Sequence, residues 1–356
     1  MGQNISTLRN IGNLQPSFLP LELITEILNR VAVKDMLRFK CVSKELNHLI
    51  GDRYFVQKHL DHSPSGTFRV VKQSFVALQS RDGLILERNK HSRELRVRNP
   101  AMGQEFYIPK PHKRNRLVWF GFAPTSGFYK LVSMYDSIAG NGYGGVEILV
   151  LGIEDKPSWK PADSTHLHSY DRNDRLKVCV AEAVGHIAKT STIQSRDYEV
   201  MTFDLDTENF CGHKLVPRSV FPEGSDVSLA YGDEWPFLVA LANDELHILG
   251  LQDCLQEAKL RDCEEGMLVG KKTIIPLSFL KENPEMRRNI EVERISLHSQ
   301  SIKFCRNREF GFIYYIREER KGPETCIGQD GKFTCLAYKS SLVTFKGMRP
   351  QPLEER

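Results

Sequence analysis

Few residues of this 356-residue chain invite a chemical reading, and they are scattered. His166 and His168 stand two apart, with Asp163 and Asp171 close by. On an extended strand that spacing puts both imidazoles on one side, where they could share a metal with a carboxylate. The same run reads more simply as a solvated polar loop, and no metal or cofactor is expected. Gly140-Asn141-Gly142-Tyr143-Gly144-Gly145 has the glycine density of a phosphate-cradling loop. It lacks the Lys-Ser/Thr of a P-loop, and strand-like rather than helical sequence follows, so it reads as an inter-strand loop. The eight cysteines, Cys41, Cys179, Cys211, Cys254, Cys263, Cys305, Cys326 and Cys335, include no CxxC pair and read as reduced thiols. No Ser/His/Asp, paired-carboxylate or Cys/His spacing nominates a catalytic site.

Two further features concern surfaces. From Arg88 to Arg116, nine Lys and Arg residues stand against Glu94 and Glu105, and His112-Lys113-Arg114-Asn115-Arg116 is the densest run. Such charge attracts RNA or an acidic protein. Without interleaved stacking aromatics the protein is favoured over RNA, and the plain reading is a solvated strand edge. Met1-Gly2-Gln3-Asn4-Ile5-Ser6 fits the N-myristoylation pattern and makes Gly2 the candidate lipidation site. One acyl chain binds membranes only marginally, and Arg9 is the sole basic residue among the first 17.

The elements that would carry these residues fall into two textures. With 40% hydrophobic and 26% charged residues the composition is that of a soluble globular protein, and a net charge of +4 argues for neither DNA nor an anionic membrane. No apolar run approaches the ~18–20 residues that span a bilayer, and the polar N-terminus has no signal-peptide core. The expected location is cytoplasmic and/or nuclear, with membrane association only through Gly2. Residues 18–62 are helical in pattern. Leu21, Leu23, Ile24, Ile27, Leu28 and Val31 fall within an arc of roughly 160° at 100° per residue, with Glu22, Thr25, Glu26, Asn29 and Arg30 opposite. Pro20 suits a first helical turn, and Asp35 and Ser43 are cap candidates for a second and a third helix. From Met36 to Ile50 the apolar residues point many ways. A module of about 40 residues cannot bury them all in its own core, so the surplus must meet either the rest of the chain or another protein.

After about Ser65 short apolar runs alternate with Gly, Pro, Asn and Asp, the pattern of strands and turns. One unit recurs: a strand, a turn, a segment with an aromatic, then proline. Its copies start near Leu95, Val146, Tyr198 and Glu245, roughly 50 residues apart, which suggests propeller blades, with a β-sandwich as the alternative. Short helices fit only Cys254 to Cys263 and Pro276 to Asn283. The chain is therefore expected to be α+β: a disordered N-terminus at 1–17, a three-helix module at 18–62, a mainly antiparallel, propeller-like β domain at 65–346, and a disordered tail at 347–356.

The helical segment resembles the F-box of plant proteins. Leu19, Pro20, Glu22, Leu23, Glu26, Ile27, Leu28, Lys34, Leu37, Arg38, Lys40, Cys41, Val42, Ser43 and Lys44 stand where that pattern has the same residues, and Phe55, His59 and Leu60 match its usual exit. Two positions depart from it: Ala32 where proline is frequent, and Leu46 where tryptophan is usual. The remainder is similar to the F-box-associated domain, through Asp82-Gly83-Leu84, Asn99-Pro100, Gly121-Phe122, Tyr129-Lys130-Leu131-Val132, Ser158-Trp159, Phe203-Asp204-Leu205 and Glu208-Asn209-Phe210. The resemblance implies docking on a Skp-type adaptor, and through it on a cullin, with Leu19, Pro20, Leu23, Ile27, Leu28, Leu37, Cys41, Val42 and Leu46 as contacts. It implies a β domain that recruits a target protein for ubiquitination, and no catalytic residue on this chain. The smaller Leu46 implies a weaker adaptor anchor. With Ala32, it keeps open a stand-alone binding or scaffold protein that recognises RNA, a glycan or a protein.

Overall fold

Pro20 starts the first helix as its sequence position foretells: with φ −52° it offers its carbonyl to the Leu23 and Ile24 N–H groups. The computed structural model describes residues 19–71, 74–113, 115–136, 143–162, 175–181, 184–190, 197–230, 236–251, 266–267, 272–283, 285–286, 290–296, 300–306, 310–322, 325–326 and 333–351. Gly2, the His166/His168 set and residues 140–142 lie outside them. Four helices follow one another: α1 (Leu21–Leu28), α2 (Val33–Phe39), α3 (Lys44–Gly51) and α4 (Arg53–His62). Ser43 caps α3 by accepting the Leu46 N–H at 3.1 Å, and Asp52 caps α4 by accepting that of Phe55 at 3.1 Å. Asp35 lies inside the first turn of α2, where it pairs with Arg38 at 2.8 Å instead of capping. The fourth helix adds to the three expected, and Asp52 is its signal.

Five antiparallel sheets then follow along the chain, the blade pattern of a five-bladed propeller rather than of a sandwich. A strand β1 (Ser65–Val71) precedes them and pairs with β24 (Phe333–Lys339). The first blade holds β2 (Phe75–Arg81), β3 (Leu84–Asn89), β4 (Leu95–Asn99) and β5 (Gln104–Ile108). The second holds β6 (Asn115–Ala123), β7 (Phe128–Asp136), β8 (Tyr143–Leu151) and β9 (Lys160–Ala162). In the third are β10 (Arg175–Ala181), β11 (Val184–Thr190), β12 (Tyr198–Asp204) and β13 (Asn209–Val216), with β17 (Gly266–Met267) parallel at the edge. β14 (Val227–Ala230), β15 (Phe237–Ala242), β16 (Glu245–Gly250) and β18 (Lys272–Pro276) form the fourth. The fifth contains β19 (Ile290–Ser296), β20 (Ser301–Arg306), β21 (Phe310–Tyr315), β22 (Arg320–Lys321) and β23 (Thr325–Cys326), preceded by a short helix, α5 (Ser278–Glu282). The sequence repeat now has a physical meaning. Leu95, Tyr198 and Glu245 open the third strand of their blades and Val146 lies within the third strand of its own, so the repeat is the step from third to outer strand.

The tail expected to be disordered from Gly347 is ordered through Gln351. Arg349 and Pro350, as β25 (Arg349–Pro350), pair with Glu105 and Gln104 on the outer side of β5, and the Gln351 N–H donates to the Gly103 carbonyl at 2.8 Å. An outer strand leaves a row of unpaired backbone groups, and a short terminal strand with proline at the edge covers it.

Two compact units divide the chain. The first contains the four helices, residues 77–108 and the segment from 336 onward; the second contains residues 69–76 and 109–335. Within the second unit neighbouring blades share apolar cores. Trp119, Val132, Met134 and Ile148 of the second blade pack with Met201, Phe203 and Leu205, the Trp119 and Phe203 rings meeting edge to face at 6.2 Å. Tyr198, Val200 and Val216 of the third pack with Leu229, Leu238 and Ala240 of the fourth. Phe279 of α5 closes the core of the fourth and fifth blades against Phe304 and Phe312. Polar clasps add direction: the buried Lys130 ammonium donates to the Leu205 carbonyl and to Glu208, both at 2.6 Å, and Asp206 accepts the Thr125 and Ser126 N–H groups. The short motifs around Lys130 and Glu208, far apart in sequence, are therefore two halves of one blade-to-blade joint.

His247 on β16 is buried and neither ring nitrogen has a hydrogen-bond partner; Glu245 lies 3.6 Å away, too far for a bond. Burial, and secondarily the Lys272 charge, push its pKa below the ordinary 6.5, against a smaller opposing pull from Glu245. The unfolded chain thus binds a proton that the folded one resists, and stability is lost as pH falls below 6.5 toward the lower folded value. Melting temperatures of wild type will decline between pH 7 and pH 5 more steeply than those of His247→Phe. Parallel profiles would show that this histidine is not the cause.

Candidate adaptor interface

Two edges of the apolar arc on α1 have different fates. Leu28 is buried, and Leu21 and Ile24 pack beside it on a core with Val33, Met36, Leu49, Ile50 and Phe55. Leu23 and Ile27, one turn apart on the other edge, are 51% and 54% exposed. Leu19 just before the helix is exposed too, as is Pro20. In the turn between α2 and α3 Val42 is 69% exposed, and the exposed Cys41 thiol reaches only the Leu37 carbonyl, at 3.8 Å. Leu37 and Leu46 sit between these extremes, half-buried against the core. Of the nine expected contacts, Leu19, Pro20, Leu23, Ile27, Cys41 and Val42 are open to a partner. Leu28 is not: the inward turn of α1 makes it a core residue. The sequence reading missed Tyr54, exposed near the start of α4. Its signal is its place two residues after the Asp52 cap, one position before the inward Phe55.

The charged residues around this face pair with one another. Glu26 meets Arg30 at 2.7 Å and Lys58 at 3.3 Å, and hydrogen bonds from these two cations hold its carboxyl below the usual range. Among the described residues the exposed large hydrophobics are Leu19, Leu23, Ile27, Val42, Tyr54, Tyr107, Ile153, Ile274 and Ile313, and the first five lie within this one short module. These five uncovered apolar side chains are the candidate docking residues of the module.

A family model described as the F-box domain matches residues 17–58, and one described as the F-box associated beta propeller domain matches residues 40–221, more than half of the chain. The chain belongs to the F-box-associated family. Three relatives from Arabidopsis thaliana show the likeness. Putative F-box protein At1g47790 is 26% identical over 288 residues, 69% of this chain and 71% of that one. F-box protein DOR is 25% identical over 304 residues, 70% and 76% of the two chains. Putative F-box protein At3g10240 is 26% identical over 236 residues, and there the match spans 54% of this chain and 58% of the relative.

The inner face of the F-box is completed from elsewhere in the first unit. Leu342 is 1% exposed within the F-box core, and Ala101 and Met102 pack against the same cluster. The surplus of apolar surface read from the sequence therefore divides: one share meets the β-rich part of the chain, the other faces outward.

The basic stretch divides: Lys90 and Arg93 are exposed, as a solvated edge requires, Arg96 and Arg98 are not, and the side chains of Arg114 and Arg116 lie outside the described residues. Arg96 and Arg98 of the first blade turn inward and share Glu87, at 2.8 and 2.9 Å, while Arg96 also reaches Glu105 at 2.9 Å. Glu87 is 0% exposed. In the second unit the Glu147 carboxylate accepts the His112 backbone N–H at 3.1 Å and lies 3.2 Å from the His112 ring, and Trp159 donates to the Pro109 carbonyl at 2.7 Å. Lys110 and Lys113 remain exposed. Among the described residues no group of three or more His, Cys, Asp or Glu is placed to hold a metal ion, and no helix is long and apolar enough to cross a membrane.

Proposed function

We propose that this chain is the substrate-recruiting subunit of an SCF-type cullin E3 ubiquitin ligase. Its F-box docks on a Skp-type adaptor, and its β domain captures the protein to be modified, in the cytoplasm or nucleus. The observation that carries this reading is the outward pair Leu23 and Ile27, with Leu19, Pro20 and Val42, on a domain that the F-box family model matches. Helical side chains at this spacing are anchors for an apolar groove on a partner, and apolar anchors that lose all contact with water supply most of an interface's affinity. The chain itself transfers no ubiquitin in this reading. It contributes proximity, by holding a target near chemistry on other subunits.

The direct test is calorimetric titration of the full chain with a purified Skp-type adaptor, followed by copurification of a cullin through that adaptor. Saturable binding with 1:1 stoichiometry is expected. A flat titration refutes the assignment. Mass spectrometry of proteins held by the full chain while proteasomal degradation is blocked then identifies the target.

A further inference from the structure

The core of the F-box is not closed by its own residues alone. Leu342, near the far end of the chain, is buried among Leu28, Val33, Met36, Leu49, Ile50 and Phe55. What places Leu342 there is one side chain of the first blade. The Asn99 amide donates to the carbonyls of Ser341 at 3.0 Å and Val343 at 2.8 Å, the two residues that bracket Leu342. Its carbonyl oxygen accepts the N–H groups of Ala101 and Met102 at 3.0 and 3.2 Å, the other two residues that meet the F-box core. Asn99 is 0% exposed and its two bonds to the 341–343 segment are buried, where an unmade one is costly.

The rest of the segment is held as closely. At Gly83, with φ +78°, an added Cβ would stand 2.2 Å from the Ser341 hydroxyl and 2.6 Å from the Lys339 carbonyl. Phe345 meets Phe106 edge to face at 5.6 Å, Thr344 donates to the Gln104 side chain at 2.8 Å, and β25 adds to the edge of β5.

We propose that residues 341–351 are a latch that forms part of the docking module, and that Asn99 is its positioning residue. Through Asn99 one blade sets both inserts that close the inner face of the F-box. The adaptor-facing helices thus belong to the same body as the first blade and do not swing on a tether. The latch itself stands on the contacts described; its effect on docking rests on the adaptor reading.

Hydrogen exchange on the full-length chain separates the two. In Leu342→Ala and in Asn99→Leu, amides of α1–α4 will exchange at least tenfold faster than in wild type, while β6–β8 and β14–β16 keep their rates. Ile153→Ala, at an exposed residue of the second unit, will leave the α1–α4 rates unchanged. A synthetic peptide of residues 339–356 added to a chain ending at Ser340 will restore slow exchange in α1–α4. Unchanged F-box rates in Leu342→Ala overturn the latch, and so does an equal loss of protection in every blade. A wild-type chain that fails to bind a Skp-type adaptor, with the exchange pattern as stated, overturns the adaptor reading and leaves the latch standing. Where both hold, Leu342→Ala will weaken adaptor binding by about tenfold although residue 342 lies outside the matched F-box.

Discussion

Leu23→Asp combined with Ile27→Asp will weaken adaptor binding by the full-length chain by at least about 100-fold, roughly 2.7 kcal/mol or more. Each substitution sets an unpaired carboxylate into a contact that would otherwise be apolar and dry, and a buried polar group without a partner costs about 1–3 kcal/mol on the scale of protein mutants, a charge more. The same change leaves the free protein nearly as stable as before. Both side chains are about half exposed, and surface substitutions of that kind usually stay within about 0.5 kcal/mol, with a small loss of helix propensity added. Leu28→Ala is the informative contrast. It is one residue away, yet it empties a core position and will cost about 2–5 kcal/mol of stability. A titration paired with a melting curve reads both quantities. Undiminished binding by the double mutant would remove Leu23 and Ile27 from the interface.

Glu87→Gln will lower the stability of the first unit by about 3 kcal/mol, because it leaves Arg96 and Arg98 buried with one carboxylate fewer between them. For a chain of this size that corresponds to a fall in melting temperature of roughly 4 °C. Arg30→Ala also breaks an ion pair, and at 2.7 Å that pair is shorter than the buried ones. It will leave the melting temperature unchanged within error, because both partners stand in water. Burial, not distance, sets the order of the two results. A loss below 2 °C on Glu87→Gln would mean that water reaches the cluster.

What the sequence made legible was period and punctuation. The Ser43 cap, the Pro20 start and the strand repeat at Leu95, Val146, Tyr198 and Glu245 depend on neighbours within a few residues, and each is found in its place. What it hid depends on partners distant along the chain. Leu28 and Ile27 are equal members of one apolar arc until Leu342 arrives on one side of it. Arg96 and Arg98 look like surface charge until the pairing of β3, β4 and β5 brings Glu87 and Glu105 alongside. Gly347 to Gln351 is polar and terminal, which reads as disorder; its order comes from the open side of β5, which no local pattern announces. The expected F-box contacts fall between these cases. Family likeness named Leu19, Pro20, Leu23, Ile27, Leu28, Leu37, Cys41, Val42 and Leu46 alike, and could not separate the exposed ones from Leu28, which is buried with Leu342.

The position of Leu342 also places the F-box in time. A ribosome releases the helices of residues 21–62 well before it reaches residue 342, with roughly 280 residues between. At about 5–20 residues per second the helices wait on the order of tens of seconds for the side chain that closes them. A chain cut short by a premature stop never receives it. Such a product carries every residue of the F-box motif and still presents its core unclosed.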